Sequence, residues 1–167
     1  TPAGLYRYEM NDIVTVVDFV NQCPLIKFVQ KGRGVCSITG EKLYESQILH
    51  SLNKLNLNFV FAQFAANEFT YTYECFIELD EQIDSKKANK IESKLDVLLC
   101  DQNLEYKEKR GSNRLKHVHL KVLKQGTYSA LKKSAIEKGQ NESQFKIMLL
   151  QYKKELSTNL EQFVQYD

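Results

Sequence analysis

A lysine near the end of the chain has the type and setting for charge chemistry. Lys146 ends the polar run Gln144-Phe145-Lys146, which follows Gly139 and a segment of helical periodicity. A lysine ammonium is a compact charge on a long flexible stem, so on a loop it can reach an anionic group. The residue alone predicts only a lysine on a mobile connection, and most lysines are solvated and do no chemistry.

Two histidines form the next candidate site. His117 and His119 are separated by one residue and therefore share one face of a predicted strand. A metal pair is conceivable, but no carboxylate or cysteine is visible at a spacing that would complete it. We therefore predict an exposed polar face and no metal site.

The four cysteines are far apart in the sequence and form no C-x-x-C pair. They are Cys23, Cys36, Cys75 and Cys100. This spacing argues against zinc ligation and predicts small buried hydrophobic residues in a reducing compartment. A cytoplasmic location is the resulting expectation.

A basic cluster lies in the third quarter of the chain. It comprises Lys107, Lys109, Arg110, Arg114 and Lys116, diluted by Glu105 and Glu108. We interpret it as a solvated loop, with contact to an anion as the lesser alternative.

The segment around Lys146 is predicted to be a strand, a turn, a helix and a loop. Residues 118–123 alternate between apolar and polar, and Gly126-Thr127 is a turn and N-cap signal. Gly139 suits the position just after the helix. The apolar stripe of this helix would consist of Tyr128, Leu131, Ala135 and Ile136.

The rest of the chain reads as strands and helices in alternation. Residues 59–66 are apolar on both faces and predict a central strand, and residues 69–79 alternate strictly as a half-buried antiparallel strand. Helices are predicted over residues 43–55 and after Asp84, the latter as an N-cap. The buried stripe of that second helix would consist of Ala88, Ile91, Leu95, Leu98 and Leu99. A last short helix is expected around residues 156–163.

A glycine-paired link divides two patterns. Gly32, Arg33 and Gly34, with Lys31 before them, form the best candidate hinge, because glycines permit large φ/ψ changes. A plain surface turn is the alternative.

Residues 1–30 are β-rich. Residues 35–167 follow the order β-α-β-β-α-β-α, which predicts an α+β domain with a ferredoxin-like antiparallel sheet and helices on one face.

The composition of the chain limits the kinds of partner that it can be expected to bind. The chain has 167 residues, 43% hydrophobic and 26% charged, with a net charge of +2. Such a balance gives no strong attraction to nucleic acid or to anionic membranes. No apolar run approaches the ~20 residues that span a bilayer. We therefore predict neither a nucleic-acid nor a membrane partner.

Several short motifs occur together in a characteristic order. They are Gly4-Leu-Tyr-Arg-Tyr8 with Asn11-Asp12-Ile-Val14, Gly40-Glu-Lys-Leu43, Asn103-x-x-Tyr106, Arg110, Gly126-Thr-Tyr128, and Gly139 with Gln144-Phe-Lys146. In this order the chain resembles the C-terminal part of the auxin-responsive acyl-acid amido synthetases, which are adenylate-forming enzymes. Ile147-Met148 stands where that family has Pro-Arg after the lysine.

The resemblance implies roles for individual residues. Lys146 would enter the active site during adenylation and bridge the substrate carboxylate and the α-phosphate. Asp12 would hold the ribose hydroxyls of ATP, which suits a carboxylate that can accept two hydrogen bonds. Lys42 would contact the phosphates, and Lys31 would be a basic hinge residue. Without the resemblance, Asp12 is a turn residue and Lys42 is as readily a solvated lysine.

The resemblance also implies a reaction and partners. A carboxylic acid would react with ATP, accompanied by Mg²⁺, to give acyl-AMP, and an amine would then form the amide. Residues 1–30 would be the tail of a large N-terminal adenylation domain, residues 31–34 the hinge and residues 35–167 a mobile C-terminal domain. No glycine-rich phosphate loop occurs in these residues, so the chain alone is expected to be catalytically silent.

A stand-alone binding module is the alternative. The predicted order of elements also fits RNA-recognition and small-molecule regulatory domains. An RNA-recognition domain should carry glycines and a basic residue among the aromatics of its third strand. Residues 69–76 have the aromatics but lack both.

Overall fold

The structure divides into two units. It is a computed structural model that describes residue 4, residues 12–31 and residues 34–166. The division falls between Gly34 and Val35. Gly32 and Arg33 of the predicted hinge lie outside the described residues, as do residues 5–11 of the β-rich segment.

The first unit is a β-hairpin. Strand β1 (Asp12–Val20) pairs antiparallel with β2 (Cys23–Lys31) across a two-residue turn in which Asn21 has φ 55°. Asparagine tolerates this left-handed conformation better than most residues. Adjacent residues of a strand point to opposite faces, yet Leu25 and Ile26 are 43% and 60% exposed. Both faces of the hairpin thus carry apolar surface.

The second unit contains a short ladder and a five-stranded sheet. Strands β3 (Val35–Cys36) and β4 (Leu43–Tyr44) form the ladder. The sheet has the order β8-β5-β6-β7-β9. Its strands are β5 (Phe59–Asn67), β6 (Thr72–Leu79), β7 (His119–Leu123), β8 (Leu150–Tyr152) and β9 (Val164–Tyr166).

Four helices and three 3₁₀ turns connect these strands. The helices are α1 (Glu45–Lys54), α2 (Ser85–Gln102), α3 (Leu104–Gly111) and α4 (Thr127–Glu137). The 3₁₀ turns are Glu142–Gln144, Lys153–Glu155 and Leu160–Phe163. The Asp84 carboxylate accepts a hydrogen bond of 2.7 Å from the Lys87 amide, which confirms the N-cap predicted for α2.

The α+β class is confirmed, but the sheet is mixed rather than antiparallel. Strand β7 is parallel to β6, and β8 is parallel to β5. Each parallel pair is joined by a connection that contains a helix, as parallel strands require. Strand β3, which stands first in the predicted order of residues 35–167, pairs only in the separate ladder. These pairings are non-local, so hydrophobic periodicity gives no signal for them.

Helices cover both faces of the sheet, not one. Helices α1, α2 and α3 pack on the first face, around Leu52, Leu95 and Tyr106. Helix α4 packs on the second face, where Tyr128 and Leu131 contact a cluster that includes Phe61 and Phe76. Because strand side chains alternate between faces, the apolar residues of β5 supply both cores.

The strand expected over residues 69–79 begins three residues late. Tyr73, Cys75, Ile77 and Leu79 share the first core as predicted, but Phe69 is 89% exposed. The Asn67 side-chain oxygen accepts hydrogen bonds from the amides of Phe69 and Thr70. This local turn competes with the strand pairing and ends it.

An ion-pair network closes the second face beside α4. The Lys153 ammonium lies 2.7 Å from the Glu74 carboxylate and 3.0 Å from that of Glu161, which also contacts Lys121 at 2.8 Å. Asn67 donates a further hydrogen bond to Glu74. Glu74 and Lys121 are 4% and 7% exposed, so these charges are paired as burial demands. The network attaches residues 153–161 to strands β6 and β7.

The buried face of α2 allows a direct test of the fold. Leu95→Ala should lower the free energy of unfolding by about 2–5 kcal/mol, because this fully buried side chain would leave a cavity. Val97→Ala, on the same helix but 59% exposed, should change it by less than about 0.5 kcal/mol. Urea unfolding of the 167-residue chain measures both. Equal effects would contradict the assigned face of α2.

Candidate functional site

Lys146 lies on an exposed segment beside the second face of the sheet. The segment runs from the 3₁₀ turn Glu142–Gln144 to strand β8, and Lys146 itself is exposed. Within the described part of the chain, its ammonium has no hydrogen bond or ion pair. The side chain is therefore able to reach an anionic group brought to it.

A cavity of about 490 Å³ opens next to this lysine. One wall is apolar and includes Leu131 and Ala135 of α4, and Lys138 lies at the end of the same helix. Polar groups line other parts, among them Gln63, Ser157 and Thr158. The size suits a small organic group.

The N-terminus of α4 is held by a strand carboxylate. Glu78 of β6 accepts hydrogen bonds of 2.6 Å from the amides of Gly126 and Tyr128, and it is 4% exposed. The first turn of a helix has unpaired amides and a positive partial charge, so a carboxylate stabilises it. Gly126 has φ 87°, which glycine adopts without strain. The predicted Gly126-Thr127 start and the Gly139 end of α4 are both present.

The loop before Lys42 is built around a buried carboxylate. Glu41 is fully buried and accepts hydrogen bonds from the amides of Ile38 and Thr39 and from the Tyr73 hydroxyl, the last at 2.6 Å. Burial opposes its ionisation, but these hydrogen bonds outweigh burial and lower the pKa of Glu41 below its ordinary value. Burial and the adjacent Glu41 charge raise the pKa of Tyr73. Glu41 is thus a structural anion.

The backbone of Lys42 is fixed while its side chain is exposed. The Lys42 amide donates to the Glu105 carboxylate at 2.9 Å, and its carbonyl accepts from the Asn103 side chain at 2.8 Å. Both partners belong to the start of α3, which packs on the first face of the sheet. Lys42 and Lys146 therefore lie on segments attached to opposite faces.

The Asn103, Tyr106 and Arg110 motif is a structural network. Asn103 caps α3 by accepting from the Tyr106 amide, and the Tyr106 hydroxyl donates to Asp96 at 2.8 Å. The Arg110 guanidinium binds both oxygens of Asp96 and also donates to the Leu115 carbonyl. The network connects α2 and α3 to the residues that precede β7.

Asp96 is the charged centre of this network. Burial opposes its ionisation, but hydrogen bonds from Arg110, Val118 and Tyr106 prevail and hold the pKa of Asp96 below its ordinary value of 3.8. The sequence carried a signal for it. Ala88, Glu92 and Asp96 are spaced by four, so Asp96 falls on the buried stripe of α2.

The basic cluster is not a solvated loop throughout. Residues 104–111 form helix α3, and Arg110 is half-buried in its ion pair with Asp96. Periodicity missed the helix because Tyr106 alone among its residues is buried. The exposed lysine of this helix, Lys107, fits the original interpretation.

The two histidines do have a carboxylate neighbour. His117 and His119 lie 3.6 and 3.3 Å from the two oxygens of Glu92 on α2. Glu92 is distant in sequence and is brought to the histidines by the packing of α2, so sequence spacing gave no sign of this carboxylate. Within residues 12–31 and 34–166, no group of three or more histidines, cysteines or acids is arranged to hold a metal ion.

The cysteines fit the prediction in part. Cys36 and Cys75 are buried free thiols, and burial raises the pKa of Cys36 to about 12. Cys23 is exposed on β2, and Cys100 is partly buried. In the described residues, no helix is both long and apolar enough to cross a bilayer.

Asp12 and Lys31 occupy paired backbone positions at the open end of the hairpin. Their backbones are directly paired in the register of β1 and β2. Asp12 begins β1 and is not a turn residue. Of the predicted hinge, Gly34 is described and has φ 104°, a conformation that favours glycine.

Comparison with known proteins decides the family. The model of the GH3 family C-terminal domain matches residues 46–155, and that of the GH3 family central domain matches residues 1–31. The chain belongs to the GH3 family. The resemblance drawn from the motifs is thereby confirmed.

Curated GH3 proteins are similar along most of this chain. Indole-3-acetic acid-amido synthetase GH3.17 of Arabidopsis thaliana is 28% identical over 163 residues, which cover 87% of this chain and 27% of that protein. The 4-substituted benzoates-glutamate ligase GH3.12 of the same plant is 26% identical, with 86% and 28% covered. The chain thus spans about a quarter of the length of these relatives.

A solved GH3 structure shares the fold. The GH3.15 acyl acid amido synthetase matches with a TM-score of 0.76 and 20% identity, covering 96% of this chain and 31% of that structure. The order of elements alone left an RNA-recognition domain as an alternative. Such a domain stacks bases on an open sheet, whereas helices cover both sheet faces in the described part of this GH3 chain.

The Asp96–Arg110 pair predicts an acid-sensitive contribution to stability. Arg110→Met should lower the free energy of unfolding at pH 7 by about 3 kcal/mol, since it leaves a buried charge without its partner. The pKa of Asp96 is lowered in the folded state, so its contribution is complete above 3.8 and is lost as pH falls through the folded value. Denaturation from pH 7 to ~2 measures this dependence.

Two matched variants complete this test. Lys107→Met, an exposed position on the same helix, should have little effect. Asp96→Asn should weaken the acid dependence relative to the parent. An Asp96→Asn protein with an unchanged acid profile would contradict the role of this carboxylate.

Proposed function

We propose that this chain forms the C-terminal part of an ATP-dependent acyl acid amido synthetase. In the first step, a carboxylate oxygen attacks the α-phosphorus of ATP, and the bond to the departing pyrophosphate breaks. In the second, an amine nitrogen attacks the acyl carbon, AMP leaves and the nitrogen loses a proton. Carboxylic acid, amine and the large N-terminal adenylation domain are the partners of this proposal.

Membership of the GH3 family is the observation that carries the proposal. The named relatives are amido synthetases and a benzoate–glutamate ligase, and their sequence likeness extends over most of this chain. The hairpin adds physical support. Ile26 and Phe28 are 60% and 55% exposed, and a two-stranded hairpin is marginally stable alone. Exposed apolar surface of this kind fits packing against a larger body.

Lys146 is the proposed catalytic residue of this chain. Its exposed ammonium, free of partners in the described residues, suits a role in which it bridges the substrate carboxylate and the α-phosphate. There it would offset the negative charge that grows in the transition state. After Lys146 the chain is hydrogen-bonded to the sheet, where the Leu149 carbonyl accepts from the Phe64 amide, and the Lys146 side chain itself is exposed.

The remaining residues receive supporting roles in the proposal. Asp12 would bind the ribose hydroxyls, Lys42 the phosphates, and Lys31 would be a basic residue at the hinge formed by Gly32, Arg33 and Gly34. Mg²⁺ would accompany ATP and neutralise phosphate charge, and no residue of this chain is assigned to it. Residues 35–167 would rotate about the hinge between the two steps. Free thiols support a reducing, cytoplasmic setting.

Substitution of Lys146 tests the proposed chemistry. In the enzyme that contains this chain, Lys146→Ala should slow acid-dependent exchange of pyrophosphate into ATP by roughly 100-fold, as loss of one preorganised charge contact does. Lys133→Ala is the matched control, because Lys133 is exposed on α4 and is not part of the cavity. Equal activity of the two variants would refute the role of Lys146.

The 167-residue chain alone should form no acyl-AMP. Its sequence contains no glycine-rich phosphate loop, so it lacks a cradle for the nucleotide. Mass spectrometry of reactions with ATP and a panel of carboxylic acids would detect any adenylate. Formation of acyl-AMP by the chain alone would show that the whole site lies within these residues.

A further inference from the structure

Three aromatic rings run from the sheet to the residue before Lys146. The ring of Phe61 on β5 lies 6.0 Å from that of Tyr128 on α4, measured between centroids. The Tyr128 ring in turn lies 5.8 Å from that of Phe145, with an interplanar angle of 59°. Tilted pairs at such distances are favourable. Phe145 is thus connected by direct contacts to the buried second face.

The middle ring is fixed independently of its neighbours. The Tyr128 amide donates to the buried Glu78 carboxylate, which also binds the amide of Gly126. These bonds hold the first turn of α4 on strand β6. Tyr128 therefore presents its ring from a rigid point of the backbone, and Phe145 packs against a surface that does not move with the loop.

The chain is anchored again just after Lys146. The Gln63 side chain donates to the Met148 carbonyl at 3.2 Å, and the Phe64 amide donates to the Leu149 carbonyl at 2.6 Å. Lys146 thus lies between the Phe145 ring contact and these two hydrogen bonds. Its backbone is held on both sides, whereas its side chain is exposed.

We propose that Tyr128 and Phe145 are positioning residues that set the starting point of the Lys146 side chain. This inference rests on the proposed role of Lys146. Because the ring contact fixes the backbone beside the lysine, its flexible side chain starts from one point, which limits the region that the ammonium can reach. Displacement of a reacting group by about 1 Å can reduce a rate by ~10²-fold. The aromatic contacts therefore act on the rate through Lys146 and not on substrate binding.

A double-mutant cycle tests this coupling in the enzyme that contains this chain. Phe145→Ala should lower kcat of the adenylation step by roughly 10-fold with KM for ATP and acid unchanged. In the Lys146→Ala background, the same substitution should have no further effect. Phe145→Tyr and Tyr128→Phe keep the rings and should retain the parent rate. Phe163→Ala removes another half-buried ring of the second face and is the control for lost packing.

The outcomes separate this inference from the proposed function. If Phe145→Ala lowers the rate equally with and without Lys146, or mainly raises KM, positioning through Lys146 is refuted. If Lys146→Ala alone has no effect, the proposed function fails instead. Hydrogen exchange in the 167-residue chain then decides the structural part. Phe145→Ala should accelerate exchange at residues 145–149 more than Phe163→Ala does, and equal exchange would overturn the anchoring.

Discussion

The carboxylate of Glu78 is the contact on which the placement of the candidate site depends. It lies on a central strand, is buried, and finds its partners in two amides at the N-terminus of α4. A buried carboxylate without partners would be strongly unfavourable, and so would the unpaired amides of a buried helix end. The carboxylate and the two amides can satisfy each other only if α4 lies across the second face of the sheet. The cavity, the aromatic contacts and the segment of Lys146 all follow from that arrangement.

Glu78 is one of several buried acids that organise this domain. Glu41 shapes the loop before Lys42, Asp96 joins α2 to α3, and Glu74 connects the sheet to the C-terminal residues. Each accepts hydrogen bonds from backbone amides or from cationic and hydroxyl groups, so its charge is compensated inside the fold. The backbone of Lys42 and the residues that flank Lys146 are held by contacts, whereas the side chains of both lysines are exposed. The buried acidic groups thus stabilise the fold, whereas the exposed lysine ammonium groups remain available to a ligand.

The sequence predicted the elements better than their arrangement. The Asp84 cap, the central strand and the ends of α4 follow from local patterns, and these were found where expected. Parallel pairing and helices on both faces depend on contacts between distant residues, which local periodicity does not record. The ion pair of Arg110 and the contact of Glu92 with the two histidines were missed for a related reason. A polar residue is interpreted as solvated unless a partner is known. The partners of these residues are distant in the sequence.

The hairpin of residues 12–31 has a consequence for biosynthesis. It leaves the ribosome before the second unit, and its apolar side chains on both faces would meet water at that moment. Long exposed strands with such side chains are templates for intermolecular pairing. The order of synthesis therefore leaves this strand pair prone to aggregation until its apolar faces are buried.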